Sequence, residues 1–351
     1  MLKIFYLAIA ISVGAIFYQL HVPAGWLLGA LVTGMVFGLY IKKLYFPDSL
    51  FKVALAIIGA NIGFMVDPEQ FLTYHYLILP FFLTLLLTLT GGILLGKFMF
   101  KFSNVHPNTA FFCCLPGGAS EVIALSKEFG ADQHIVAAFH TTRITLFVLT
   151  IPIVVGLHTR VVPSVTDSAT SSLIAGFVAL VCLAGIGLFA LWIAQKIPLP
   201  GISLLMAILF GFLAHQFVFP TFVVPKFATG IAQALMGAIV GIRFDRETYK
   251  EFKRIGKVSI VTLMFYFLMS FGVAGVFFLL TPLDFFASLL GVVPAGAAEM
   301  ASTAAALDIE PMMVATLQML RVLILFALLP LLIKWFSKPA TSEQGVKSDG
   351  T

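Results

Sequence analysis

Long apolar runs, separated by short polar breaks, dominate the chain. Five lie in the first half, at about 2–20, 24–41, 49–66, 75–98 and 133–157, and five in the second, at about 172–194, 199–218, 226–242, 258–281 and 311–333. A helix needs about 20 apolar residues to cross a hydrocarbon core about 30 Å thick, so each run predicts a spanning helix. Two further apolar stretches, about 107–129 and 285–307, are interrupted in the middle. The first reads Leu115-Pro116-Gly117-Gly118-Ala119-Ser120-Glu121, the second Val293-Pro294-Ala295-Gly296-Ala297-Ala298-Glu299. Proline removes a helical donor and glycine loosens the backbone. Each break therefore exposes peptide groups, which a membrane interior tolerates only where protein or water satisfies them.

The two halves are copies. A shift of 178 residues places Pro116, Gly118, Ala119 and Glu121 on Pro294, Gly296, Ala297 and Glu299, and Arg143 on Arg321. Asp132 falls on Glu310, Pro152 on Pro330, Gly59 on Gly237 and Gly63 on Gly241 at the same offset. Chance similarity between apolar runs would match leucines, not proline, glycine, glutamate and arginine together. The first helix has a partner at about 172–194 and is followed by no small-residue cleavage site, so it reads as a retained helix and not as a signal peptide. The expected organisation is a first membrane repeat at 1–157, an inter-repeat loop at 158–171, a second repeat at 172–335 and a disordered cytoplasmic tail at 336–351.

Composition agrees: 60% of residues are hydrophobic and only 11% charged, against about a quarter charged in soluble domains. The net charge of +5 then becomes a question of orientation. If each broken segment is a re-entrant hairpin, each half has an odd number of crossings and the halves are inverted. Seventeen of the 21 lysines and arginines then fall on one side, with Arg160 and Lys226 opposite and Arg143 and Arg321 within spans. If both broken segments cross, the basic residues divide almost evenly. Basic residues collect in cytoplasmic loops. The expected fold is thus an all-α polytopic membrane protein of two inverted repeats, each with five transmembrane helices and one broken hairpin. It has about ten crossings and both termini inside. Inverted repeats with discontinuous segments point to secondary transporters with a site near the bilayer midplane.

Few charges remain inside the spans. Arg143 and Arg321 each sit about ten residues into a run, at a cost of several kcal/mol. Each has a polar residue three positions earlier on the same helical face, His140 and Gln318. Glu121 and Glu299 follow the breaks. One reading pairs Glu121 with Arg143 and Glu299 with Arg321, pinning hairpin to helix, since buried charges are normally paired. The sharper reading places the arginines at a hydrated cavity, binding an anion, with Glu121 or Glu299 as the site of proton or sodium coupling. The two are compatible. Gly117, Gly118 and Gly296 permit close approach at the hairpin tips, where the following arms present free amides. Ser120, Ser302 and Thr303 add hydroxyls; helix packing by small residues is the alternative. The spacings Gly59–Gly63 and Gly237–Gly241 read as packing motifs and are compatible with a homodimer.

At these residues the chain resembles the AbrB-type bacterial inner-membrane proteins over about 1–335. The likeness rests on Pro116-Gly117-Gly118 and Pro294-Ala295-Gly296, on Gly130-Ala131-Asp132, and on Arg143 and Arg321. Ala295 replaces the usual glycine, which implies unequal hairpins. The resemblance implies a polytopic protein of the cytoplasmic membrane with this domain duplicated. Such proteins have been labelled regulators of gene expression and, elsewhere, ammonia monooxygenases. They are distantly similar to the cation/proton antiporter and anion transporter superfamily. The shared name of a soluble DNA-binding regulator does not carry over.

A secondary active transporter of a small solute, with an organic anion among the candidates, is the leading expectation. A membrane regulator acting through a cytosolic partner is the alternative, with the basic loop Arg243–Lys257 as its best surface. An enzyme is not expected: the seven histidines form no HxH or HxxxH cluster, and HExxH and GxSxG are missing. Three cysteines make neither a disulfide scaffold nor a CxxC site. No cofactor, metal or nucleic-acid partner is expected, only the bilayer, a solute and a coupling ion (H+ or Na+).

Overall fold

The computed structural model describes residues 2–41, 44–66, 74–158, 173–197, 199, 201–218, 224 and 226–336. The side chains of 120–121, 173–180, 226, 329–330 and 333–336 lie outside that description. So do the Asp67/Glu69 loop, residues 159–172 between the halves and the tail after 336.

Every regular element among the described residues is helical. In the first half α1 spans Leu2–Gln19, α2 Gly25–Val36 and α3 Asp48–Phe64. The end of α2 widens into a π turn at Phe37–Ile41. A 3-10 turn at Tyr74–Leu77 leads into α4, Ile78–Phe102. The first broken stretch forms two half-helices, α5 (Pro107–Cys114) and α6 (Ala119–Glu128), and α7 follows at Gln133–His158. The second half holds α8 (Leu173–Ala194), α9 (Ile202–Phe217) and α10 (Lys226–Ile242). Then come α11 (Arg246–Ile255), α12 (Lys257–Leu280), the half-helices α13 (Phe285–Val292) and α14 (Ala297–Leu307), and α15 (Pro311–Phe336). Several bounds repeat at the 178-residue offset: α3 on α10, α5 on α13 and α7 on α15 coincide at both ends.

The halves interlock. The most extensive packing joins α2 to α10 and α3 to α9, and α4 lies against α12. Glycines make the first two contacts possible. A Cβ on Gly241 would collide with the Leu31 carbonyl of α2, and one on Gly63 with the Ile208 carbonyl of α9. Gly34 and Gly211 return the approach from the partner helices. The two GxxxG faces are therefore occupied within the chain, where close backbone approach replaces the hydrophobic drive that lipid cannot supply.

Among the described residues, five helices or helix segments are long and apolar enough to span a bilayer, and a sixth if α10 and α11 are counted as one span bent by 53°. Large side chains such as Leu79, Leu157 and Leu279 lie 77–79% exposed on these helices. Lipid is the solvent that suits such a surface, and the chain is a multi-pass membrane protein. Basic residues at helix ends lie over aromatic rings, Lys196 on Trp192 at 3.9 Å and Arg243 on Phe51 at 5.1 Å. These pairs suit the membrane–water boundary.

The polar stretch 243–257, read from sequence as a loop, contains α11. Asp245 caps it, accepting from the Thr248 amide at 2.8 Å. Glu247 in the first turn and Lys253 and Arg254 in the last complement the helix dipole. Gly256, at φ 81°, ends the helix in a conformation that side-chain-bearing residues resist.

Candidate functional site

Each break is a short extended link between two half-helices. Leu115 (φ −66°, ψ 124°) and Gly118 (−61°, 123°) bound the first, Val293 (−62°, 131°) and Gly296 (−72°, 132°) the second. An interrupted helix leaves its last carbonyls without amide partners. Those carbonyls carry the negative end of the half-helix dipole. The in-span arginines are positioned to meet them.

Arg321 Nη1 donates to the Val293 carbonyl, and its Nη2 donates to Ala295 at 3.2 Å. Gln318, one turn earlier on α15, donates from Nε2 to Leu290 at 2.6 Å and Val293 at 3.1 Å. The first half repeats the arrangement at equivalent positions. Arg143 Nη1 reaches the Leu115 carbonyl at 3.4 Å, and His140 Nε2 lies 2.9 Å from the Phe112 carbonyl. A carbonyl only accepts, so His140 carries its proton on Nε2. Its Nδ1 is then left to accept from Arg143 Nη2 at 3.1 Å. His140, Arg143, Gln318 and Arg321 are all buried.

The Glu299–Arg321 pair expected from sequence takes a different form. Arg321 makes no ion pair with Glu299 among the described residues; its donors go to carbonyls. Glu299 is the third residue of α14, and its carboxylate folds back over Gly296, where a Cβ would collide with it. The reason is local electrostatics: a break presents a negative helix end and a positive helix end a few residues apart. The cation settles on the first and the anion on the second. Glu121 and Ser120 hold the matching places at the start of α6, but their side chains lie outside the described residues. The N-cap residue is glycine in both cases, Gly118 before α6 and Gly296 before α14, so neither cap position supplies a side-chain acceptor.

Tyr266 joins the site without having been legible in the sequence. It is fully buried on α12, and Arg143 lies 4.8 Å from its ring centroid. It is within electrostatic reach of Arg321 as well. A single tyrosine in an apolar run carries no signal, and its position 178 residues earlier is Thr88. Ser302 and Thr303 lie on the buried face of α14. Thr303 bonds back to the Glu299 carbonyl at 2.8 Å, while Gln233 of α10 approaches the Ser302 carbonyl at 3.5 Å. Asn61 of α3 donates from its amide to the Met65 sulfur at 3.9 Å.

Among the described residues, the buried polar atoms without a partner include Arg143 Nε, Tyr266 Oη, Ser302 Oγ and Gln318 Oε1, and also Thr145 Oγ1 on α7 and Ser288 Oγ on α13. Gly117 and Gly118 line a crevice between the first hairpin tip and α15, closed on the far side by Val322 and Phe326. Its volume is about 10 Å³, room for about one water. A larger groove of about 520 Å³ between α8 and α9 is walled by Phe189, Phe210 and Phe217 and offers an acyl chain more than a polar solute. No group of three or more histidine, cysteine, aspartate or glutamate side chains that could hold a metal occurs among the described residues.

Residues 26–337 match the family described as transition state regulatory protein AbrB. The chain belongs to the AbrB family. Among curated relatives, it is 25% identical to "Putative regulator AbrB" of Escherichia coli (strain K12), over 94% of each chain. It is also 25% identical to "Uncharacterized protein YhjN" of Bacillus subtilis (strain 168), over 93% of this chain and 91% of that one. The AbrB match takes in both breaks and both arginines.

Proposed function

We propose that this AbrB-family chain is a secondary active transporter of a small solute, an organic anion being the class its cationic groups suit. It works in the bacterial cytoplasmic membrane, with no cofactor and no enzymatic step. The carrying observation is the duplicated pair of broken helices, each with a buried arginine on the carbonyls of its break. Such a break puts backbone polarity at membrane depth, and inverted repeats with discontinuous helices are the architecture of alternating access. In this reading the halves are inverted five-crossing repeats, the breaks are re-entrant and both termini are cytoplasmic. The basic residues sort accordingly.

The unpartnered atoms supply the chemistry. A buried polar atom without a partner costs about 1–3 kcal/mol. An incoming carboxylate would accept from Arg143 Nε and Tyr266 Oη, satisfying donors that this state leaves idle. Arg143 and Arg321 would exchange carbonyl for solute. His140, Gln318, Ser302 and the glycines Gly117, Gly118 and Gly296 would shape the site. Glu299 and Glu121, each at the start of a half-helix, are the coupling groups for H+ or Na+. The crevice at the first tip has room for about one water, so admitting a solute would require the hairpin and α15 to move apart. The test is uptake into proteoliposomes by wild type, Arg143→Ala and Arg321→Ala. Equal uptake of every solute by all three folded proteins would remove the arginines from the site.

A second reading, a membrane regulator, is favoured by the name of the Escherichia coli relative and by the exposed basic helix α11. Neutralising α11 and finding a lost transcriptional response with unchanged topology would support it.

A further inference from the structure

The duplicated architecture has one corner where the two halves use different chemistry. Each half fastens the loop before its last helix to the segment preceding the other half's fourth helix. In the first half Asp132 does this by pairing with Arg254 of α11, 3.5 Å away. In the second, Glu310, the position equivalent to Asp132, accepts from the Tyr74 hydroxyl at 2.8 Å. The Arg254 and Asp132 side chains are 66% and 34% exposed. Their contact therefore sits in water and is open to competing ions.

Asp132 also holds the base of the first hairpin. Its Oδ1 caps α7 through the amides of His134 and Ile135, and its own amide donates to Thr109 Oγ1 of α5 at 2.9 Å. Beside it Asn108 Nδ2 donates to the Phe129 carbonyl at 2.8 Å. The outer face of α11 carries Lys250 and Lys253, both exposed and without an ion pair among the described residues, next to Tyr249 at 52% exposure. The inner face packs Phe252 against Phe139 of α7, ring centroids 6.3 Å apart. Arg246 anchors the start of the helix on the Leu39 and Tyr40 carbonyls, bringing the exposed Tyr40 ring to the same surface. Lysines interleaved with exposed tyrosines at a helix end are the chemistry of the membrane–water interface.

We infer that α11 lies in the plane of the membrane surface and binds anionic phospholipid headgroups through Lys250 and Lys253, and that a headgroup phosphate draws Arg254 off Asp132 and loosens the base of the first hairpin. The inference rests on the sidedness in the preceding section, not on transport. The loop equivalent at the other face holds Asp67 and Glu69 and no lysine or arginine, so only one surface is equipped this way.

Hydrogen exchange of the full chain in nanodiscs tests it, comparing phosphatidylcholine alone with mixtures containing phosphatidylglycerol. Amides of residues 107–132 should exchange several-fold faster once phosphatidylglycerol is added. Arg254→Gln should exchange fast in both lipids. The double variant Lys250→Gln/Lys253→Gln should need on the order of five-fold more anionic lipid per lysine lost to reach the same rate. Wild-type rates that ignore phosphatidylglycerol, or a double variant that responds like wild type, would overturn the proposal, the latter leaving α11 to a protein partner. Labelling Lys250→Cys with an impermeant maleimide in oriented vesicles separates the cases: labelling from the outside alone breaks the sidedness, whereas correct sidedness with no lipid response breaks only this inference.

Discussion

Arg321 directs its hydrogen bonds to the backbone of a broken helix, and this explains how a guanidinium can sit inside a membrane protein. Its stabilising partners are carbonyls that would otherwise be unsatisfied in a medium of low polarity. Arg321→Ala should therefore destabilise the folded state by about 3 kcal/mol, visible as a lower thermal midpoint in detergent. Arg321→Lys should recover little of it, because one ammonium cannot span the Val293 and Ala295 carbonyls as the forked guanidinium does. His140 and Gln318 perform one task at equivalent positions, donating from Nε2 to the carbonyl of Phe112 and Leu290. His140→Gln should thus fold with near-wild-type stability, whereas His140→Leu should lose about 1–3 kcal/mol by orphaning that carbonyl. The arginines and glutamates were legible in the sequence because charge inside an apolar run is rare. Their partners were not: a sequence shows side chains that could pair, but not the backbone groups that a break sets free.

The elements were largely legible for a related reason. Proline and glycine in the middle of an apolar stretch cannot sustain a helix, and α5/α6 and α13/α14 divide where those residues fall. Helix α11 reads as a loop because it is polar and only ten residues long, too short to span, although its Asp245 cap, Glu247 in the first turn and Gly256 stop are signals the sequence does carry. The contacts of α2 with α10 and α3 with α9 depend on missing side chains. Gly241→Val should push the Leu31 carbonyl away and cost about 3 kcal/mol or more, lowering the yield of folded protein. Gly272→Ala and Gly275→Ala on α12 meet nothing within 4 Å and should leave the midpoint unchanged or slightly raised. A comparison of these three variants in one thermal-unfolding series separates a packing role for glycine from a general helix effect.

At the scale of the whole molecule, the repeated element bounds and the packing between halves give two similar broken-helix hairpins beside one buried polar zone. The hairpins are alike but unequal. His140 stands opposite Gln318, Tyr266 has no counterpart, and Ala295 takes a glycine position. In the transporter proposed above, this inequality would give the two hairpins different roles in the cycle. The topology predicts that single cysteines in place of Lys250 and Asp308 label from opposite sides of oriented vesicles; labelling from one side would remove the inversion. The most direct test of the central claim is solid-supported membrane electrophysiology on proteoliposomes, applying jumps of small carboxylates and other organic anions under a proton or sodium gradient. The account predicts a solute-dependent current that an opposing ion gradient reverses and that Arg143→Ala abolishes in folded protein. Currents of equal size from wild type and Arg143→Ala, or none with any solute from correctly oriented wild-type protein, would contradict it.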